Sequence, residues 1–244
     1  MANPTGKSPS QSIVMIGSTG AVGTHALMGL VELDEVDKIT LLVRSPSPVK
    51  SDKITQHIVD VLKPETYQMH LDGHDVGIST FGVGEPSKIS KADFLKIDKD
   101  AVLTFATHCR NAGIDHFQSL GSVGVDSKSS QYYLKAKGEL EEGISALGFS
   151  RVSLFHPSMI LTPINRYGVS QGLTLALWPL LTPILVGPLR KLRGIKVDRL
   201  GRAMANNLLK SGRGVEILEW DEFEALNSVS FDHSPLSAAV RPYK

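Results

Sequence analysis

A doubly wound parallel α/β sheet is the fold class this sequence predicts, and three observations carry the prediction. Short β-branched or apolar runs alternate with segments of helical period up to about residue 160. A glycine-rich turn joins the first such run to the first helical segment. The chain of 244 residues is 41% apolar with a net charge of +1, which provides for one full core and no broad field of one sign.

The strand candidates, in order, are residues 13–16, 39–43, 57–60, 76–80, 116–120 and 151–155, and the helix candidates are 24–33, 98–112 and 131–147. Strands in that alternation run parallel, joined by right-handed crossovers, so ligands bind beyond their carboxyl ends near the switch in strand order. Residues 1–10, "MANPTGKSPS", are polar and read as a flexible leader without the apolar core of a signal peptide. Residues 11–160 then form the nucleotide-binding unit, and 161–244 a small substrate-facing extension integral to the same domain. That boundary rests on a break in the pattern: the alternation gives way to the apolar stretch "LTLALWPLLTPILVG", 173–187. Pro179 and Pro183 interrupt it and it is short for a membrane span, so it reads as a wall of the substrate pocket or a homodimer contact, and peripheral membrane attachment is not expected.

Composition removes other classes. No dense Lys/Arg block offers a surface to nucleic acid. The single cysteine, Cys109, shares a helical face with Val102, Phe105 and Ala106, so it reads as a buried small side chain in a reducing, cytoplasmic protein. His70 and His74 in "HLDGH" lack further ligands at metal-site spacing and read as a surface loop.

The turn "IVMIGSTGAVG", 13–23, places Gly17, Gly20 and Gly23 between an apolar strand and a helix. In that context a glycine turn lets the backbone approach a pyrophosphate at a helix N-terminus, as in a Rossmann-type domain. The next strand ends in "LLVRS", with Arg44 where an NAD site offers an acid to the ribose, so a 2′-phosphate, and NADP in preference to NAD, is favoured over a solvated arginine. Asp60, ending "HIVD", reads equally as an adenine contact and as a turn aspartate. "ISTFGVG", 78–84, ends the fourth strand in small residues, as a backbone beside a cofactor requires.

Chemistry concentrates in "GSVGVDSKSSQYYLKAKGELEEG", 121–143. Tyr133 and Lys137 stack four residues apart on a stripe that continues through Leu140, Ile144 and Leu147, which sets an ammonium on the packed side of a helix, a costly position without a partner. Tyr132 falls with Glu139 on the polar side. Ser122 ends the preceding strand and completes the Ser/Tyr/Lys set of short-chain dehydrogenases, in which the lysine lowers the phenol pKa and binds ribose, the tyrosine exchanges a proton with substrate, and the serine positions it.

The run "HDVGISTFGVGEPSKISKADFLKIDKDAVLTFATHCRNAGIDHFQSLGSVGVD" resembles the Tat-interacting-protein type of oxidoreductase, an atypical short-chain dehydrogenase group whose bacterial members are often described as nucleoside-diphosphate-sugar epimerase-like. Similarity spans about residues 11–215 and ends in "DRLGRAMANNLL", which resembles that family's "V..V..AM.NN" helix. The resemblance implies NADP held by Gly17, Thr19, Gly20, Ala21, Val22, Arg44, Asp60, Val61, the backbone of Thr80, Phe81 and Gly82, and Lys137, with the nicotinamide end against Pro157 and Met159 in "HPSMI". Two positions depart from the family pattern: His156 stands where relatives have Arg, and Gly121 where they have Ser. Three functions follow as expectations: an NADP-dependent oxidoreductase moving hydride between nicotinamide and a small carbonyl or alcohol, a non-catalytic NADP-sensing binding protein, and an epimerase-like isomerase. The Tyr133/Lys137 pair favours the enzymes, and the short region after residue 160 disfavours a nucleotide-sugar pocket.

Overall fold

The computed structural model describes residues 10–84, 88–162 and 184–228. Seven strands form one sheet in the order β3-β2-β1-β4-β5-β6-β9, every pair parallel. They are β1 Gln11–Ile16, β2 Val36–Val43, β3 Ile54–Ile58, β4 Val76–Ser79, β5 His116–Leu120, β6 Arg151–Phe155 and β9 Gly214–Leu218; Met159–Leu161 (β7) and Gly194–Lys196 (β8) pair separately. The chain order reverses between β1 and β4, so a switch point opens at their carboxyl ends. This is the Rossmann-type doubly wound sheet.

Alternation along the strands builds two cores. Ile13 and Met15 of β1 face one side, with Ala26 and Leu30 of α1 (Ala21–Glu32), Leu200 and Met204 of α5 (Val197–Asn206) and Phe223 of α6 (Trp220–Ser228). Val14 and Ile16 face the other, with Phe105 and Cys109 of α3 (Ala101–Asn111) and Leu140 and Ile144 of α4 (Tyr132–Ala146). Cys109 is fully buried there, and burial pushes its thiol pKa well up.

Differences from the expected elements have local causes. The helix expected over 98–112 is three pieces: α2 (Lys91–Leu95), whose cap Ser90 accepts from Asp93 N–H at 3.1 Å, a π-helical turn over Lys96–Asp100, and α3. β3 occupies 54–58 rather than 57–60 because its register on β2 runs from Ile39↔Ile54 to Val43↔Ile58. β9 carries no inward apolar alternation: Val215 and Ile217 are exposed on this sheet edge while Leu218 is buried. His74 is no surface residue; it is 5% exposed and its Nδ1 lies 2.7 Å from Ser12 Oγ. Most of 173–187, with Trp178, lies outside the described residues.

Candidate functional site

The turn after β1 can take its shape only with glycine at two positions. Gly17 has φ +82, and a Cβ on it would come within 2.5 Å of the Phe81 nitrogen; a Cβ on Gly23 would run into the Gly17 carbonyl and lie 2.6 Å from Thr80 Oγ1. The turn is thereby pressed against the end of β4. Gly20 is the N-cap of α1 and supplies no side-chain hydrogen bond, so the first N–H groups of that helix, at Ala21 and Val22, are left to a ligand or solvent. Buried in the same turn, Ser18 Oγ has no partner among the described residues.

One cavity opens on this turn and a second lies beside it. One, of about 190 Å³, is lined by Gly17, Thr19, Gly20, Arg44, Val61, Thr80, Phe81 and Gly82 among others. The second, of about 390 Å³, shares Arg44, Val61, Phe81 and Gly82 and adds Asp60, Val83, Gly84 and Ile97. Arg44 is exposed at the end of β2, beside both cavities. Asp60 does what a turn aspartate does, its Oδ1 accepting from Leu62 N–H at 3.0 Å, and still lines the second cavity. A bare helix N-terminus, a glycine cradle and a guanidinium side by side suit an anionic dinucleotide.

Lys137 stands where the stripe put it, 6% exposed, and its partner is Asp98 of the π turn, with Nζ 2.9 Å from Oδ1. The other oxygen of Asp98 accepts from Val83 N–H at 2.7 Å, so the pair is joined to the wall of the second cavity. Tyr133 lies one turn before Lys137, its ring 5.5 Å from that of Phe94. Burial, and secondarily Asp98, push its phenol up to about 12. Tyr132 is not on the polar side either. Its ring packs edge-on to Phe94 at 5.1 Å, Lys91 Nζ lies 5.4 Å above it, and its hydroxyl is covered without a partner among the described residues.

Ser122 follows β5, its Oγ 3.4 Å from the Val123 carbonyl. Pro157 is buried and accepts from Val123 N–H at 3.1 Å, and Met159 opens β7; neither lines the two cavities. The two departures from the family pattern belong together. His156, 5% exposed, places Nε2 2.8 Å from Glu141 Oε1, and a Cβ on Gly121 would strike that same carboxylate. A histidine and its carboxylate occupy the space that a side chain at 121 would need.

The structure brings the glycine turn, Arg44 and Asp60 to the two cavities and buries Lys137 on the expected stripe, while Ser122, Tyr133 and Lys137 line neither cavity and Asp98 and Glu141 were not anticipated. The signal for Asp98 was available: a lysine on an inward stripe demands a counter-charge. A larger cleft, of about 540 Å³, opens at the opposite end of the sheet beside Asp75, His116, Arg151 and Lys210. It lies at the amino ends of the strands, away from the switch point.

Comparison with known proteins agrees with this geometry. The NAD(P)H-binding family model matches residues 17–160. Protein HTATIP2 of Rattus norvegicus is 30% identical over 217 residues, covering 87% of this chain and 88% of that one. The mitochondrial protein FMP52 of Meyerozyma guilliermondii is 33% identical over 155 residues, 61% of this chain and 64% of its own. Among solved structures, MoeE5 in complex with UDP-glucuronic acid and NAD superposes with a TM-score of 0.64 at 16% identity, covering 85% of this chain and 75% of that one, a likeness of fold. The match over more than half the chain, together with the HTATIP2 similarity, makes this protein a member of the NAD(P)H-binding family and similar to HTATIP2 within it.

Proposed function

We propose that the protein is an NADP-dependent oxidoreductase of the short-chain type, acting on a small carbonyl or alcohol. The observation that carries this reading is the buried Lys137, four residues after Tyr133 on α4, whose counter-ion, Asp98, is hydrogen-bonded to the wall of the second cavity. When bound, the nicotinamide supplies or accepts the hydride. The chain's own groups do the rest: the α1 N-terminus and the glycine turn hold the pyrophosphate, Arg44 pairs with the 2′-phosphate, Tyr133 exchanges a proton with the substrate oxygen, and Ser122 orients that oxygen. The lone buried Cys109 fits a reducing compartment, and we place the protein in the cytoplasm. Among the described residues no helix is long and apolar enough to cross a membrane.

Calorimetric titration with NADP and NAD tests the cofactor, and a screen of carbonyls for NADPH oxidation tests turnover. Arg44→Ala should weaken NADP binding by about ten- to a hundredfold, as the loss of hydrogen bonds to a charged group does, and leave NAD binding unchanged. Equal affinities for the two dinucleotides in the wild type would remove the NADP assignment. NADP binding without turnover of any carbonyl, together with an NADP-dependent change in association with a partner protein, would favour the sensing role.

A further inference from the structure

Two histidines close the loop that follows β3. His57 on β3, an edge strand of the sheet, and His70, which ends a 3-10 turn over Gln68–His70, stack face to face, their ring centroids 3.6 Å apart and their planes 12° from parallel. Both are half-buried, so protons reach them from solvent. Between them the loop 58–69 carries Asp60, Val61 and Leu62, which line the second cavity, and Val61 also lines the first. The loop is braced on itself, Thr66 Oγ1 accepting from Asp60 N–H at 3.2 Å and donating to the Lys63 carbonyl at 2.7 Å. Its inner side is anchored by Tyr67, fully buried with its ring against Phe105 and His108. On the outer side Ile58 and Met69, next to the stack in the chain, are 63% and 62% exposed, so the paired imidazoles are what fastens the loop there.

We infer that the His57–His70 stack is a pH-sensitive clasp on a wall of the cofactor site, closed while the rings are neutral and loosened by acid, so that dinucleotide affinity falls with pH. The effect on affinity rests on the proposed dinucleotide reading, and the clasp itself does not. Two imidazolium rings at this separation would be like charges in van der Waals contact, and their repulsion opposes the stack. The contact thus holds only while at least one ring is neutral.

The surrounding groups do not offset that charge at His57. Burial first, then His70 and Lys38 of β2, hold its pKa below the ordinary 6.5. The closed loop therefore favours the neutral ring, a contribution complete above pH 6.5 and lost as pH falls. Beneath the stack His74 is hydrogen-bonded to the His70 backbone, and Lys38 acts on it too, with Asp75 opposing. In the loop Asp60 is 3.9 Å from Lys63 and Glu65 acts on Tyr67, while α3 presents His108 to the Tyr67 ring.

Hydrogen exchange of the full chain without cofactor, read by mass spectrometry at about pH 7.5 and about pH 5 and corrected for intrinsic rates, tests the clasp. Amides of 58–70 should exchange about tenfold faster at the lower pH, while β1 and α1 keep their protection. Replacing both rings, His57→Phe with His70→Phe, keeps an aromatic pair without its charge and should abolish the acceleration. Unchanged exchange in the wild type, or the same acceleration in the double variant, overturns the inference. Should the double variant fail to fold, the wild-type exchange decides by the same criterion. Calorimetry at about pH 5 should then find NADP bound about three- to tenfold more weakly by the wild type than by the double variant, a comparison at one pH that cancels the ionisation of the cofactor's own phosphate. Equal affinities there overturn the link between clasp and cofactor site. Absence of NADP binding at every pH would instead overturn the proposed function and leave the exchange result standing.

Discussion

Each end of the sheet buries a cation against a carboxylate, and the two ends do it differently. At the amino end Arg151, the first residue of β6, donates Nε–H to Glu216 at 2.8 Å, Nη1–H to the Asn207 and Lys210 carbonyls, and Nη2–H to Asn207 Oδ1 at 3.0 Å. Glu216 in turn accepts from Ser153 at 2.6 Å, and Ser153 is bonded to His116 and Asn207. At the carboxyl end Lys137, with three donors, has Asp98 as its partner among the described residues. A saturated network rigidifies, and it ties β5, β6 and β9 to the turn after α5. A cation with donors to spare is suited to a ligand, so charge burial serves cohesion at one end and, in the function we propose, chemistry at the other.

The largest expected effect lies at the chemical end. Tyr133→Phe should lower turnover of any substrate found in the carbonyl screen by about two to four orders of magnitude, the usual worth of a positioned proton donor. NADP affinity, measured by calorimetry, should stay near wild type, because a phenylalanine ring keeps the contact with Phe94. Full activity in the variant would end the assignment of Tyr133.

Arg151→Met probes the cohesive end. It leaves Glu216 partly buried with its charge uncompensated, which costs about 3–5 kcal/mol. For a chain of this size that lowers Tm by roughly 10 °C, measurable by calorimetry. NADP binding at the other end of the sheet should survive wherever the variant is folded. A loss of cofactor affinity larger than the loss of stability would show that the two ends are coupled.

The contrast between the ends was half legible in the sequence. The helical period put Tyr133, Lys137, Leu140 and Ile144 on one face, and strand ends followed by glycine or arginine pointed to the glycine turn and Arg44, which the structure sets beside one cavity. Asp98 was hidden because the π turn inserts a residue into the helical repeat and shifts the phase of everything before Ala101. The amino-end network was hidden for another reason. Arg151 and Glu216 are 65 residues apart, and β9 has its exposed apolar residues where a periodicity argument expects polar ones. Charged partners brought together by strand order leave no local trace in the chain.

Acid should weaken the amino end first. Burial, reinforced by Arg151 and opposed by Glu216, pulls His116 from an ordinary value of 6.5 down to about 3. The folded state therefore favours the neutral imidazole: this contribution is complete above pH 6.5 and declines as pH falls toward 3. The slope is at most about 1.4 kcal/mol per pH unit, or about 2 kcal/mol lost between pH 6.5 and pH 5. His74, lowered by burial to about 4, adds loss in the same window. For Glu216 burial raises the pKa, but Ser153 and Arg151 outweigh it and the net shift is downward, so its stabilisation fades only at more acid pH. Urea unfolding at two pH values checks the sum, and His116→Asn should flatten the slope.

The smallest expected effect has the opposite sign. Gln118, in the middle of β5, is fully buried between Ile78 of β4 and Ser153 of β6, and neither its amide oxygen nor its nitrogen has a partner among the described residues. An unpaired buried amide costs about 1–3 kcal/mol, and the nearby Ser153 hydroxyl is already committed to Glu216, Asn207 and His116. Gln118→Met removes both polar atoms while keeping the length of the side chain, so it should raise stability by about 1 kcal/mol in urea unfolding. A loss of stability instead would mean that the amide is satisfied in solution by a trapped water or by a reoriented Asn207. The cohesive network would then extend two residues further along β5, toward the carboxyl end of the sheet.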